Sequence, residues 1–182
     1  MRIAGQIVVA AVVAVSIGGA LGQDRAQRSF DLPVLTVCEA LNDRNQNDGK
    51  TLVVVGKLVS TMEGSWLVED CGQQIVISGH KWNNAISLTY ILGAVRPPPK
   101  LPKKFRWDAS VLQARLQAKL KQVQSSTTLE VLPQYHYTDS WFAVFGRFEI
   151  EVGGEGMPHG FGHLDGALAQ LIADRAGSHE LK

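Results

Sequence analysis

Two cysteines, Cys38 and Cys71, are the only thiols in the 182-residue chain. Such a pair has three chemical uses: a structural disulfide, a redox-active pair, or two ligands of a metal ion. The two residues do not form a C-x-x-C motif, and no histidine lies within a few positions of either one. These features favour a structural Cys38–Cys71 disulfide. Such a bridge closes a loop of about 33 residues and raises the free energy of unfolding by roughly 3 to 4 kcal/mol.

Two histidines, His159 and His163, stand four residues apart in the glycine-rich stretch 153–166. Histidines at this spacing ligate a metal when a helix aligns them, but Gly160 and Gly162 disfavour a helix there. They are therefore weak candidate ligands, and no cofactor is predicted. They carry the alternative function for this chain, that of a small metal-dependent hydrolase.

Signatures of other enzyme classes are missing from the sequence. No serine lies in a G-x-S-x-G motif, and no phosphate-binding loop or dinucleotide-binding glycine pattern occurs. Adjacent acids such as Glu69 and Asp70 are interpreted as turn and outer-face residues. We therefore predict a non-enzymatic binding or structural module of unknown ligand.

Basic residues are concentrated in one segment, 96–121, which holds eight lysines and arginines and one acid. The chain as a whole carries a formal net charge of only +1, so the remainder is acidic. The predicted binding residues of the segment are Lys103, Lys104, Arg106 and Trp107. Such a patch binds phosphates, anionic glycans or lipid headgroups. The alternative is a solvated loop and helix face attracted to the chain's own acidic part.

Aromatic residues of the strands form a second candidate surface. Trp66 and Trp141, with Tyr90 and Phe142, are candidates for a stacking platform on the face of a barrel. Aromatic residues in such positions also belong to hydrophobic cores, and the sequence leaves both interpretations open. The expected partner is an anionic surface or another envelope protein. Nucleic acid is not expected, because an exported protein rarely meets the nucleic acid of its own cell.

The N-terminal segment 1–22 is predicted to be a signal peptide. A basic residue precedes the uncharged run 7–21, and small residues stand before a cleavage position near Gly22. The run is shorter than the roughly 20 apolar residues that a transmembrane helix needs, so no membrane anchor is expected after cleavage. The chain is thus predicted to be exported, to the periplasm or the medium, with a flexible tether over 23–33 and a single domain over 34–182.

The remaining sequence is mainly β. Apolar, β-branched runs between turn residues predict strands, and an apolar stripe at helical spacing behind Asp108 predicts one long helix. The predicted elements are a helical turn over 34–41, strands over 51–61, 65–69, 74–78 and 141–152, and a proline-rich basic loop with a helix over 96–126. The segment 167–176 is compatible with either a strand or a helix.

Two glycines, Gly56 and Gly146, lie inside the strongest predicted strands. Each stands where a continuous apolar run gives way to a half-apolar pattern. Glycine weakens a strand interior unless it permits a bulge or a sharp bend. Both are therefore predicted to be corners at which a strand bends around a small barrel.

This order of elements resembles a group of small exported bacterial proteins of largely uncharacterised function that have an OB-like barrel. The motifs that carry the resemblance are N-D-G-K at 47–50, G-K at 56–57, E-G-S at 63–65, D-C-G at 70–72, G-R-F-E at 146–149 and G-F-G-H-L at 160–164. The resemblance implies a disulfide-pinned binding barrel with no catalytic residues to transfer. The predicted fold class is therefore mainly β with one or two helices: a five-stranded OB-like barrel with the basic, proline-rich loop and its helix inserted.

Overall fold

Five strands close into a barrel in the computed structural model of the chain, which describes residues 32–90, 97–126, 137–150, 160–161 and 167–182. The elements are β1 (Val34–Thr36), α1 (Val37–Asn42), α2 (Arg44–Asn47), β2 (Thr51–Thr61), β3 (Gly64–Val68), β4 (Ile75–Ile77), β5 (His80–Thr89), α3 (Ser110–Ser126), β6 (Tyr137–Ile150) and β7 (Ala167–Leu181). The predicted signal peptide and the tether up to residue 31 lie outside the described residues.

The barrel strands follow the order β2, β3, β5, β7, β6 and return to β2. The barrel closes because β2 pairs antiparallel with both β3 and β6, so that Lys57 lies opposite Val68 on one side and Trp141 on the other. Counted along the chain, the barrel strands are β2, β3, β5, β6 and β7. The third and fifth of them, β5 and β7, run parallel, and α3 lies in the connection between the third and the fourth, β5 and β6. This arrangement is an OB-like barrel with an inserted helix, which confirms the predicted fold class.

The barrel interior is apolar and receives one face of α1. Inward-facing residues of all five barrel strands form a single cluster with Val37, Ala40 and Leu41 of the helix. Gly56 allows this insertion, because a Cβ at Gly56 would lie 2.7 Å from Val37 Cγ2. Glycine at position 56 is thus required by the packing of α1 against β2.

The second of these glycines, Gly146, lies where the pairing of β6 with β7 shifts register. A Cβ at Gly146 would lie 2.8 Å from the backbone oxygen of Ile172 and 2.7 Å from Leu171 Cγ. A backbone oxygen cannot move aside as a flexible side chain can, so the close approach of β7 requires glycine. Along both β2 and β6 the continuous burial ends at the glycine, as the sequence predicts.

The long helix α3 packs on the outside of the barrel through its predicted apolar stripe. The four stripe residues are all buried: Leu112, Leu116, Leu120 and Val123. The helix contacts β1 and β2. Val53, an outward-facing residue of β2, is as fully buried as its inward-facing neighbours. The barrel wall therefore separates two apolar layers, one inside the barrel and one beneath α3.

The structure differs from the sequence prediction in three places and decides between two alternatives in a fourth. The stretch 34–41 begins as the strand β1, which pairs parallel with β2 before α1 starts. The strand predicted over 74–78 is only the short β4, which pairs with β5 off the barrel path, so the third barrel strand is β5. The segment 167–176 belongs to a strand, because it pairs with both β5 and β6. The four-residue helix α2 was not predicted at all.

Candidate functional site

Cys38 and Cys71 form the predicted disulfide, with their Cα atoms 5.5 Å apart. Cys38 lies in the first turn of α1, and Cys71 lies in the segment between β3 and β4. The bridge therefore ties the helix that enters the barrel to the end of a barrel strand. Neither cysteine is left as a free thiol.

Glu69 lies beside this disulfide and is almost fully buried, with 4% of its surface exposed. Its Oε2 accepts a hydrogen bond of 2.8 Å from the backbone N–H of Cys38, one of the N–H groups that the start of α1 leaves without a helical partner. The interpretation of Glu69 as an outer-face turn residue is wrong, because the residue is buried and its carboxylate bonds to the start of α1. Its own N–H bonds to Asn84 O and keeps the chain against β5. The only sequence signal for this role is its position two residues before Cys71.

Glu39 joins α1 to α3. Its side chain accepts a hydrogen bond from the Thr36 backbone N–H at 2.9 Å, and the Thr36 hydroxyl accepts one from the Glu39 backbone N–H, so the two form a capping box. The other carboxylate oxygen accepts hydrogen bonds from Lys119 and Gln122 of α3. Burial raises the pKa of the Glu39 carboxyl, but the bonds from Lys119 and Thr36 and the charge of Lys119 lower it by more, so the pKa lies below its usual 4.5.

We expect Glu39→Gln to destabilise the protein by about 0.5 to 1 kcal/mol at neutral pH, since the ion pair with Lys119 is partly exposed and screened. A carboxyl whose pKa is lowered by folding stabilises the folded state above the unfolded pKa, and loses that contribution as the pH falls through the folded pKa. The difference between variant and wild type in urea unfolding should therefore shrink as the pH falls below about 4.5. A difference that stays constant down to acid pH contradicts this account.

The proline-rich loop before α3 is fixed to the outside of the barrel by aromatic contacts. Phe105 is buried, and its ring lies 5.7 Å from the ring of Phe145 on β6. Trp107 stacks on His179 of β7, with ring centroids 5.1 Å apart and an interplanar angle of 9°. The two loop aromatics also contact each other edge to face at 4.8 Å. The loop is therefore held against two adjacent strands, β6 and β7.

Arg147 of β6 binds the same loop at Pro97. Its Nη1 donates to the carbonyl oxygen of Pro97 at 3.1 Å, and its Nε donates to Glu149 at 2.7 Å. Gln170 of β7 donates to the other oxygen of Glu149, so a polar network orients the arginine. The sequence predicts neither Arg147 nor His179 as an anchor, because each contacts a partner that is distant along the chain.

Lys103, Lys104 and Arg106 project from this anchored loop and are exposed. None of the three forms an ion pair with another residue that the structure describes. They lie on either side of the buried Phe105, so the loop turns its apolar ring inward and its cations outward. We call residues 103–107, with these three cations, the basic loop.

Two of the three cations of α3 have partners within the chain. Lys119 pairs with Glu39, and Arg115 Nη2 donates to the carbonyl oxygen of Leu32 at 2.9 Å. The alternative in which the basic segment is attracted to the chain's own acids therefore fits Lys119. The basic loop is left for solvent or for a partner.

Trp66 and Trp141 are the two tryptophans predicted to belong to a stacking platform. Trp141 lies on the side of the barrel that carries the basic loop. His179 pairs with Ala143, which lies two positions after Trp141 on β6. Residues two apart on a strand point to the same face, so the side chains of Trp141 and His179 share one face of the sheet. Trp107 stacks on that same His179. Trp141 is half-buried. The structure thus brings Trp141 to the face on which the basic loop is anchored.

The other aromatic candidates have different surroundings. Trp66 is only 8% exposed and packs in an apolar cluster on β3, a strand that pairs with β2 and β5. Phe142 packs against the interior core. Tyr90 is exposed, and its hydroxyl forms a hydrogen bond with the Ser178 hydroxyl. The area of Trp66 left for stacking is therefore small.

His159 and His163 lie outside the described residues, so the hydrolase alternative stays a prediction. Within the part of the chain that the structure describes, no helix combines the length and the apolar character needed to span a membrane. Comparisons of the chain with protein-family models, with curated proteins and with solved structures give no match in any of the three.

Proposed function

We propose that the protein is an exported, non-enzymatic binding module that contacts an anionic lipid surface through Lys103, Lys104 and Arg106. The basic loop is the observation that carries the proposal: three exposed cations, none of which forms an ion pair among the described residues, lie on a loop that Phe105 and Trp107 hold against the barrel. A loop already held in place loses less conformational entropy on binding than a free one.

Two features support export. The leader 1–22 has the composition of a secretory signal, and the Cys38–Cys71 disulfide is of the kind that persists in oxidising compartments. A basic loop in such a compartment meets lipid headgroups more readily than nucleic acid. The same two features favour a membrane surface as the anionic partner.

The expected strength of the contact follows from the charges. Each lysine or arginine close to an anionic membrane surface contributes about 1 kcal/mol, so the three cations together contribute roughly 3 kcal/mol. A half-buried tryptophan such as Trp141 suits the boundary between water and lipid, where an indole ring meets both apolar and polar surroundings. The interaction is therefore expected to be moderate in affinity and sensitive to salt.

The test measures retention of the full chain on phosphatidylglycerol-containing vesicles and on purely zwitterionic vesicles. Retention on the zwitterionic vesicles is subtracted, because an apolar leader inserts without regard to headgroup charge. Wild type is expected to bind the anionic vesicles at low salt and to be released as the salt concentration rises. Replacing the three cations by glutamate should weaken that binding at least tenfold.

The matched control replaces three other exposed lysines, Lys50, Lys81 and Lys182, by glutamate. It changes the net charge by the same amount and leaves the basic loop intact. We expect its binding to fall much less than that of the loop variant. Equal losses in both variants, or no charge-dependent retention of wild type, rule out the basic loop as the binding surface.

A further inference from the structure

Three potential metal ligands meet at the disulfide: the sulfurs of Cys38 and Cys71 and a carboxylate oxygen of Glu69. These atoms all lie within 4.8 Å of one another. We propose that reduction of the disulfide converts this corner into a Zn²⁺ site with two thiolates and one carboxylate as its protein ligands. The site would link the same two parts of the chain that the disulfide links.

The geometry requires only a local change. In a tetrahedral zinc site the two sulfurs lie about 3.8 Å apart, given Zn–S distances of about 2.3 Å. The sulfurs therefore have to separate after reduction, and the Cα–Cα distance of 5.5 Å leaves room for this by rotation of the two side chains. The backbone on both sides is already held by α1 and β3.

Glu69 supplies the third protein ligand of the proposed zinc site, in addition to the two thiolates. Its carboxylate is 4% exposed and is oriented by the hydrogen bond from the Cys38 backbone N–H at 2.8 Å. A carboxylate can accept that bond and still offer lone pairs to a metal ion. A ligand side chain whose orientation is fixed by a hydrogen bond from the protein binds a metal ion more tightly than one without such a bond. Water is expected to fill the fourth position.

The chemistry balances with a dithiol as the reductant. The dithiol gives two electrons and two protons to the protein disulfide and becomes a disulfide itself, and Cys38 and Cys71 become thiols. Zinc binding then releases the two thiol protons, because the thiolates are the ligands. The oxidised protein has no thiolate to offer, so the disulfide and the zinc site exclude each other.

The test uses the full chain reduced with dithiothreitol, freed of the reductant by anaerobic gel filtration and titrated with Co²⁺. Cobalt bound by cysteine gives a near-ultraviolet thiolate-to-metal band, which histidine sites do not produce. We expect one cobalt ion per chain with this band in the reduced protein and no band in the oxidised protein. Addition of Zn²⁺ should remove the band by displacing cobalt.

Two variants separate an organised site from free thiols. Glu69→Gln should weaken cobalt binding at least tenfold, whereas Glu63→Gln, the same change on an exposed turn, should leave it within about twofold. Far-ultraviolet circular dichroism of each titration shows whether the chain is folded when the band develops. A band in folded reduced wild type that Glu69→Gln weakens supports the site. The proposal is overturned if reduced wild type gives no band, if Glu69→Gln binds cobalt as wild type does, or if the band develops on an unfolded chain.

Discussion

Replacing both Cys38 and Cys71 by serine is expected to lower the free energy of unfolding by about 3 to 4 kcal/mol. The reason lies mainly in the unfolded state, because the bridge spans 33 residues and restricts the ends of that loop when the rest of the chain is unfolded. The hydrogen bond from Cys38 N–H to Glu69 and the Thr36 capping box do not need the sulfur–sulfur bond. The variant should therefore fold to the same barrel with less stability.

The measurement is urea unfolding of oxidised wild type, reduced wild type and the double variant, all with a chelator so that no metal replaces the bridge. Reduced wild type and the double variant should agree. Both should show a steeper dependence on urea than oxidised wild type, because an uncrosslinked unfolded chain exposes more surface. A loss of stability under about 1 kcal/mol would mean that the unfolded chain is already compact around this loop.

The sequence predicts best those elements whose burial pattern is set locally. β2 begins and ends at the predicted residues, because a β-branched apolar run follows directly on a turn. The stripe of α3 is buried as predicted, because helical spacing alone places those residues on one face. The ends of continuous burial at Gly56 and Gly146 could be predicted, because the apolar pattern changes at each glycine along the strand.

Elements that depend on distant partners escaped prediction. β5 begins with polar and aromatic residues and shows no clean alternation, yet it is the third barrel strand because it pairs with β3 and, in parallel, with β7. β1 is only three residues long and becomes a strand through its parallel pairing with β2. Neither pairing leaves a local signal in the sequence.

The same division applies to the candidate site. The cations of the basic loop were visible in the sequence, because composition alone shows a cluster of charge. Their fixed arrangement was not visible, because it depends on Phe145, Arg147 and His179 in strands that follow the loop in the chain. Glu69 was misplaced for the same reason: its partner, the backbone N–H of Cys38, lies 31 residues away.

Phe105→Ala is expected to destabilise the protein by about 3 kcal/mol, the lower end of the range for removal of a buried phenylalanine, since a loop can partly collapse into the space. Phe105 is 6% exposed and packs on Phe145, which is 1% exposed. Its loss uncovers Phe145 and removes the edge-to-face neighbour of Trp107. Urea unfolding measures the effect. The control is Lys104→Ala at the preceding position, where loss of the exposed side chain should change the free energy of unfolding by less than about 0.5 kcal/mol.

Phe105→Ala also tests the link between the anchored loop and the proposed lipid contact, because the variant keeps every charge of the loop. Trypsin cleaves after lysine and arginine, so a detached loop should be cut at Lys103, Lys104 and Arg106 faster than the loop of wild type. If the fixed arrangement of the cations matters for binding, retention on anionic vesicles should fall although the net charge is unchanged. A variant that is as stable and as protease-resistant as wild type shows that Phe105 does not hold the loop, and the cations then act as a flexible charged segment.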